Sequence, residues 1–537
     1  MSKFFVKFVR KCYTKSLFYR FESSKWYCVF TTPNHYFVDL RVVFLYNISI
    51  FLLGWDMEDS AQFIGREWEM TKLQEFIHKR SASLIVVRGR RRIGKSRLLK
   101  EFGKQMKSFF FSGLPPKLKK PVTSRSQRKE FASQLEQQGI PGVDFSDWSH
   151  LFWHLAQHTK EGRVLIVLDE ISWMGSKDED FLGKLKNAWD LHFSNNPQLI
   201  IILCGSISSW IEKNILSSTG YLGRVSWDLY LEELPLSSCN IFWNPYGDRI
   251  SAYEKFKILS VTGGVPLYLE LMRPELSAEE NIRNICFTRG GLLVREFDQI
   301  FSDLFGKKSL SYRTIVESLA SGPKLASEIY AALQKKKAGI YDEYIKDLVQ
   351  AGFLKRDFTW HLKEGTHSKF SKYRLSDNYL RFYLKYILPN KVQIENGLFA
   401  SASLTSLPGW ESEMGLQFEN LVTHNRQSLW KMMGITPSDI VADGPFFQTQ
   451  TALQPGCQID YLIQTRFHTL YVCEIKFSKD PIGMDILKQM EEKREALKIP
   501  KQFSIRPILI HVNGVSDRVL DTRYFDKVID FSQILQA

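Results

Sequence analysis

The chain has 537 residues, 44% of them apolar and 24% charged. That is the balance of an ordinary soluble globular protein of about three domains, and no repeat or low-complexity tract is present. A formal net charge of +14 favours a polyanionic partner, nucleic acid or an anionic membrane face, over a neutral one. The seven cysteines are scattered and form no C-x-x-C, which excludes a disulfide framework and a structural zinc site and suits a reduced, cytoplasmic protein.

Residues 1–56 are basic and aromatic and end in VVFLYNISIFLLGW (42–55). This run is short of the roughly twenty residues that cross a bilayer and lies too far from the start for a secretory signal. Three readings stay open: an artefactual start upstream of Met57, a disordered or peripheral segment, and a membrane anchor. A membrane is the least expected of the partners.

From 58 to 235 helix, strand and loop alternate, as in a parallel sheet covered by helices. Leu84–Val87 is apolar without alternation and reads as a buried strand. After it, Gly89, Arg90, Arg91, Arg92, Ile93, Gly94, Lys95 and Ser96 fit G-x-x-x-x-G-K-[ST] at every required position. Arg97–Met106 then has helical composition. The glycines let backbone N–H groups turn inward around a phosphate, and the helix N-terminus adds partial positive charge. Lys95 is expected to reach the β and γ phosphates of ATP, and Ser96 to ligate Mg²⁺. No separate role for each of the three arginines follows from the sequence.

Residues 113–142 read as a loop-rich insertion, with Pro115-Pro116, a lysine-rich patch and Gly139-Ile140-Pro141-Gly142. VLIVLDEIS (164–172) is a second buried strand, delivering Asp169 and Glu170 to its C-terminal edge. Asp169 is expected to hold Mg²⁺ through water, and Glu170 to polarise the attacking water. A third strand, LIIILCGS (199–206), ends in Ser206, either a sensor of the γ phosphate or an ordinary strand-end turn.

FIGRE (63–67), GRRRIGKS, LDEIS, CGSISSWI (204–211), LGR (222–224) and VTGGVPLYL (261–269) together resemble the archaeal-type P-loop ATPases, on the AAA+/STAND side of the P-loop NTPases. The resemblance runs from about Phe63 to Leu271. It implies that Phe63–Glu67 lies near the adenine, that Arg224 is a γ-phosphate arginine, and that Gly263–Pro266 begins a lid. A surface salt bridge is the alternative for Arg224.

A helical lid is expected over 236–307. Over 308–376, helices at Tyr312–Ala320, Leu325–Leu333 and Ile340–Ala351 precede two short alternating strands, the order of a winged helix. Lys335 to Lys337, Tyr341, Tyr344 and Lys346 border the third helix, which enters the major groove in a DNA reader. A winged helix that only packs on the ATPase module is the alternative.

Residues 377–537 hold a second chemical centre. GCQIDYLIQTRFHTLYVCEIKFSK (456–479) reads as a hairpin whose pleat sets Leu470, Val472, Glu474 and Lys476 on one face. A Glu and a Lys on a central strand are costly to bury without a reason. Asp460 sits on the preceding strand, and Glu419 on the amphipathic helix GLQFENLV (415–422). These residues resemble the PD-(D/E)XK nuclease superfamily, in the nuclease-like domain often fused to archaeal-type ATPases. The resemblance implies that Asp460 and Glu474 bind Mg²⁺, that Lys476 positions or deprotonates water, and that Glu419 holds the metal's water shell. A structural salt bridge is the alternative for the strand residues. Gln489 and Lys493 on the next helix face either this site or solvent.

The expected fold is therefore α/β: a P-loop NTPase parallel sheet (57–235) with helical lid, winged helix and a C-terminal restriction-endonuclease-like domain. The expected partners are ATP and DNA, with homo-oligomers left open. A regulatory NTPase switch with an inactive C-terminal module is the competing reading.

Overall fold

The computed structural model describes residues 18–22, 25–29 and 63–536, apart from 117–121, 176, 207, 306–307, 334–337, 400–401 and 453. Of the N-terminal extension only an antiparallel hairpin is described, Phe18–Glu22 with Lys25–Val29. The apolar run 42–55, the lysine-rich patch at 117–121 and Lys335 to Lys337 lie outside the described residues. Ile64–Ala537 is one packed unit, separate from Met1–Phe63. Among the described residues no helix is long and apolar enough to cross a membrane, and Cys204, Cys239, Cys286, Cys457 and Cys473 are free and buried.

The expected parallel sheet is present. Its five strands run in the order Lys107–Ser112, Val164–Asp169, Leu199–Gly205, Ser83–Arg88 and Val225–Tyr230. All neighbours are parallel. The central strands are unbroken Leu, Ile and Val because helices cover both faces of the sheet. On one face Phe111, Phe131, Trp148, Phe152 and Phe181 form a contiguous aromatic core.

The segment 113–142 corrects the sequence expectation. It is not chiefly loop: Ser124–Gln137 is a 14-residue helix. Thr123 caps it, its side chain accepting from the Ser126 N–H. The stretch is so polar that its inward face, Gln127, Phe131, Ala132 and Leu135, leaves little periodic signal.

Beyond Pro235 the helices Ala252–Thr262, Ala278–Cys286 and Leu292–Phe305 follow. The last of these stacks Phe297 on Tyr383, with ring centroids 4.5 Å apart. Three more helices come next, Ser309–Ser318, Ala326–Ala332 and Ala338–Gln350. An antiparallel hairpin of Leu354–Trp360 with His367–Leu375 closes the set. Tyr341 and Tyr344 are buried, and Tyr344 packs 4.5 Å from Tyr312. They are core residues, not outward-facing ones. The exposed face of that helix carries Asp342 and Glu343 beside Lys346.

The C-terminal sheet is mixed, in the order Ile440–Gln448, Cys457–Thr465, Thr469–Ile475, Ser504–His511 and Lys527–Asp530. The first three strands are antiparallel, and the last two add in parallel. The expected hairpin of the second and third strands is present, with Tyr461 opposite Cys473. Trp360 of the preceding hairpin donates from Nε1 to Gln464 Oε1 at 2.8 Å, tying that hairpin to this sheet.

Candidate functional site

The phosphate-binding loop leaves the C-terminal end of Ser83–Arg88 and enters the helix Lys95–Gly103. Gly89 has φ +150°, and a Cβ there would stand 2.4 Å from the Leu231 carbonyl oxygen. No side chain fits at that approach. Gly94 is left-handed, with φ 90°, at the N-terminus of the helix. The loop therefore points its backbone toward the helix N-terminus, the geometry of an anion site.

Lys95 is buried, and its Nζ donates to the carbonyl oxygens of Gly89 at 2.8 Å and Arg90 at 3.0 Å. It also donates to Ser206 Oγ at 2.9 Å. Ser206 in turn donates to both oxygens of Glu170, from Oγ at 2.8 Å and from its backbone N–H at 3.2 Å. Glu170 is held in the left-handed region at φ 51°, an unfavourable place for a side-chain-bearing residue. Ser96 Oγ donates to Asp169 Oδ2 at 2.5 Å. The structure thus brings Lys95, Ser96, Asp169, Glu170 and Ser206 together. The Ser96 hydroxyl and the Asp169 carboxylate are two oxygen donors side by side, a set that fits Mg²⁺.

The three arginines go to four acidic partners the sequence did not reveal. Arg90 is buried against Asp377 at 2.6 Å and Glu233 at 3.1 Å. Burial raises the Asp377 and Glu233 carboxyls while Arg90 pulls them back down. Arg91 pairs with Asp303. Arg92 pairs at 2.9 Å with Glu296, which is fully buried. Asp303 and Glu296 share the helix Leu292–Phe305, and Asp377 follows the 367–375 strand. The loop is thereby fastened to elements roughly 140 to 290 positions away in sequence. Arg66 adds a brace from the other side, donating to the carbonyls of Ile93 at 3.1 Å and Glu232 at 2.6 Å. Arg66 of the 63–67 stretch therefore abuts the loop. Gly264 is close as well, its N–H donating to Glu233 Oε2 at 2.8 Å.

Arg224 is not brought to the loop. It stands at the N-terminal end of Val225–Tyr230, whereas the loop leaves the C-terminal end of the parallel neighbour, with Arg88 opposite Tyr230. Six residues at about 3.3 Å each put it about 20 Å from the loop within the same chain. Its guanidinium is spent on Asp190, at 2.7 and 2.8 Å. The surface salt-bridge alternative is what the structure contains.

The second centre lies on the C-terminal sheet. Glu474 is 2% exposed, and two lysines neutralise it: Lys476 at 2.8 Å on one oxygen and Lys493 at 2.5 Å on the other. Lys493 also reaches Asp460 Oδ1 at 3.0 Å, while Asp460 Oδ2 accepts from the Ile475 N–H at 3.1 Å. Burial pulls the Lys493 ammonium down, but Asp460 and Glu474 more than offset it and raise it overall. The reading of Lys493 as a merely solvated charge is thus replaced by a central position between the two acids.

Glu419 joins the group less closely. Burial first, then the charge of Asp460, pushes its carboxyl up to about 8, so near neutrality it is a protonated neighbour. Among the described residues no three or more His, Cys, Asp and Glu side chains are gathered closely enough to hold a metal ion. Glu419 is thus not gathered with Asp460 and Glu474 into one such group. Asp460 and Glu474 alone converge on one cation, here the ammonium of Lys493, and this pair has the oxygen chemistry a divalent cation takes. Gln489, about one turn earlier on the same helix, is exposed.

Residues 63–272 match a family described as an ATPase domain predominantly from Archaea. The matched region contains the parallel five-stranded sheet and the phosphate-binding loop described above. An uncharacterised protein of Methanocaldococcus jannaschii, MJECL04, is 26% identical over 375 residues, 69% of this chain and 78% of that one. Among solved structures, the Walker-type ATPase paby2304 of Pyrococcus abyssi aligns at 17% identity and a TM-score of 0.42, over 60% of this chain and 96% of that one. The ORC2 protein of Aeropyrum pernix, in its ADPNP–ADP complexes, aligns at 14% identity and a TM-score of 0.37, over 64% and 98%.

Proposed function

We propose that the chain is an ATP hydrolase that couples nucleotide binding to the binding and processing of DNA. In this reading 57–235 is the ATPase core, 236–307 the lid, 308–376 a winged helix and 377–537 a PD-(D/E)XK nuclease-like domain, with 1–56 unassigned. The observation that carries it is the convergence of Lys95, Ser206 and Glu170 in one hydrogen-bonded line at the phosphate-binding loop.

Lys95 neutralises the β and γ phosphates, and the N–H groups of Gly89–Ser96 cradle them. Ser96 and Asp169 would hold Mg²⁺, which supplies charge neutralisation on the transferred phosphoryl group. Glu170 orients the attacking water and accepts its proton. Ser206 contacts both Lys95 and Glu170, so it registers what happens at either. The arginine pairs give the loop a route to the lid helix and to the start of the C-terminal domain: a phosphate in the loop competes with Glu233, Glu296 and Asp377 for the same guanidinium groups. In the C-terminal domain Asp460 and Glu474 would hold Mg²⁺, and Lys476 would position water beside a DNA phosphate. The net charge of +14 supports a polyanionic partner.

The test is cleavage of plasmid DNA by the purified chain with Mg²⁺ or Mn²⁺, with and without ATP, beside Glu474→Gln and Lys95→Ala. Cleavage that Glu474→Gln removes, and that needs Lys95, supports the reading. ATP hydrolysis with no cleavage under any condition turns the assignment to the second reading, a regulatory NTPase switch with a docking module at its C-terminus. One observation favours that alternative: Lys493 stands where a metal would bind between Asp460 and Glu474.

A further inference from the structure

Among the described residues the third helix of the 308–376 segment has buried tyrosines and an exposed side of mixed charge, Asp342 and Glu343 beside Lys346. The hairpin that follows is different. Residues 354–375 hold six lysines and arginines against two acids. Asp357, one of the two acids, is buried against Arg374 at 2.6 Å, so its charge is used internally.

A groove of about 500 Å³ runs between this hairpin, the edge strand Ile440–Gln448 and the segment after the helix Asp485–Ala496. Its floor is aromatic. Trp360 and Phe446 are buried there with rings 5.1 Å apart. Phe370 and Phe447 are half-buried, 5.3 Å apart at 67°, and both line the opening. Lys372 holds its Nζ 5.2 Å over the Phe447 ring. Lys363 and Lys498 stand exposed on opposite sides of the rim, with Glu364 the one acid among the lining residues. A strip of aromatic surface with lysines on both banks is what an unpaired nucleotide needs: a ring for the base to stack on and cations for the flanking phosphates. A duplex keeps its bases stacked inside and offers nothing to Phe370 and Phe447. The groove also adjoins the second centre, because its Phe446 faces Ile459, the residue before Asp460, on the neighbouring strand.

We propose that this groove binds a single-stranded nucleic-acid segment, with Phe447 and Phe370 stacking on its bases and Lys363 and Lys498 contacting its phosphates. The inference rests on the nucleic-acid reading above and gives that partner a strandedness and a place. It would lead one strand, rather than a duplex, toward Asp460 and Glu474.

The experiment is fluorescence anisotropy of labelled 12-nucleotide oligo-dT, oligo-U and a mixed-sequence duplex, titrated with the full chain in EDTA. Lys363→Glu combined with Lys498→Glu changes only exposed residues, so it reports on binding without threatening the fold. Phe447→Ala is the second variant, with Phe447→Tyr as a stacking-competent control. The expected result is at least a tenfold loss of single-strand affinity in the double variant and in Phe447→Ala. The Phe447→Tyr variant and all duplex affinities stay within about twofold. Parallel losses for oligo-dT and oligo-U would assign the site to either backbone, and a loss for one alone would assign it to that strand. Single-strand affinity unchanged in the variants, or binding of duplex alone, overturns the groove assignment and leaves the DNA reading standing. Binding of neither oligonucleotides nor duplex overturns both.

Discussion

The two charged centres are assembled in opposite ways. At the phosphate-binding loop the central cation, Lys95, is satisfied by neutral groups, two carbonyls and a hydroxyl. Its neighbours Arg90, Arg91 and Arg92 take the carboxylates instead. At the C-terminal sheet the central groups are anions, and two lysines hold Glu474 directly. The first centre keeps its cation free of acid, ready for a phosphate. The second keeps its acids capped by ammonium groups, so any divalent cation must displace Lys493. The difference teaches that, on the proposed reading, the first centre would take an anion without breaking an ion pair, whereas the second would have to give up Lys493 to take a cation.

That contrast orders the expected effects. The largest is at the loop. Lys95→Ala removes the phosphate cation, and Glu170→Gln removes the base while leaving the loop intact. Both should lower the steady-state rate of phosphate release by about 10²-fold or more. Only Lys95→Ala should also weaken binding of a fluorescent ATP analogue. An equal loss of nucleotide binding in Glu170→Gln would break the division of roles.

Next come the buried acids. Glu296→Ala leaves Arg92 without its fully buried partner and should cost roughly 3 kcal/mol in urea unfolding. Glu474→Ala should cost a comparable amount, because Lys476 and Lys493, 34% and 24% exposed, turn toward water about as readily as Arg92 at 30%. A several-fold difference between the two losses would contradict this.

Smaller still is Arg224→Ala. A pair as exposed as Arg224–Asp190 contributes about 1 kcal/mol or less. The variant should hydrolyse ATP like the parent, which a γ-phosphate role in the same chain forbids.

The smallest effect is a pH dependence. Burial, with Arg374 opposite on the neighbouring strand, lowers the Lys355 ammonium to about 8. Between pH 8 and the unfolded value near 10.5 the folded chain therefore binds fewer protons than the unfolded one, and this group makes stability rise with pH. Lys355→Met should raise the melting temperature at pH 7 and flatten that rise. Thermal scans at pH 7, 8.5 and 10 would show it.

The loop was legible because one short stretch, strand then Gly89–Ser96 then helix, carries its own geometry. Asp169 and Glu170 were legible because a parallel sheet delivers residues at strand ends to the same edge. The partners of the arginines were not. Glu296 and Asp303 sit on a helix and Asp377 at a helix cap, each an ordinary acid in the sequence, and only tertiary packing brings them to the loop. Arg224 misled because a three-residue motif says nothing about which end of its strand it occupies. The helix Ser124–Gln137 was read as loop because only Phe131, Ala132 and Leu135 of its fourteen residues are buried and apolar. In the C-terminal sheet the alternation of LYVCEIK set Glu474 on the face of Leu470 and Val472 but did not show that this face is buried as well as the Cys473 face, and Lys493 comes from a helix nineteen positions later, where charge is usually solvated.

The most direct test of the whole account is the rate of ATP hydrolysis by the intact chain as DNA is added, with Arg92→Ala and Glu170→Gln in parallel. The account predicts hydrolysis that depends on Glu170, rises several-fold with DNA, and loses that rise in Arg92→Ala, where the loop is unhitched from Glu296. A slow rate indifferent to DNA in the parent chain would contradict the coupling of the two centres.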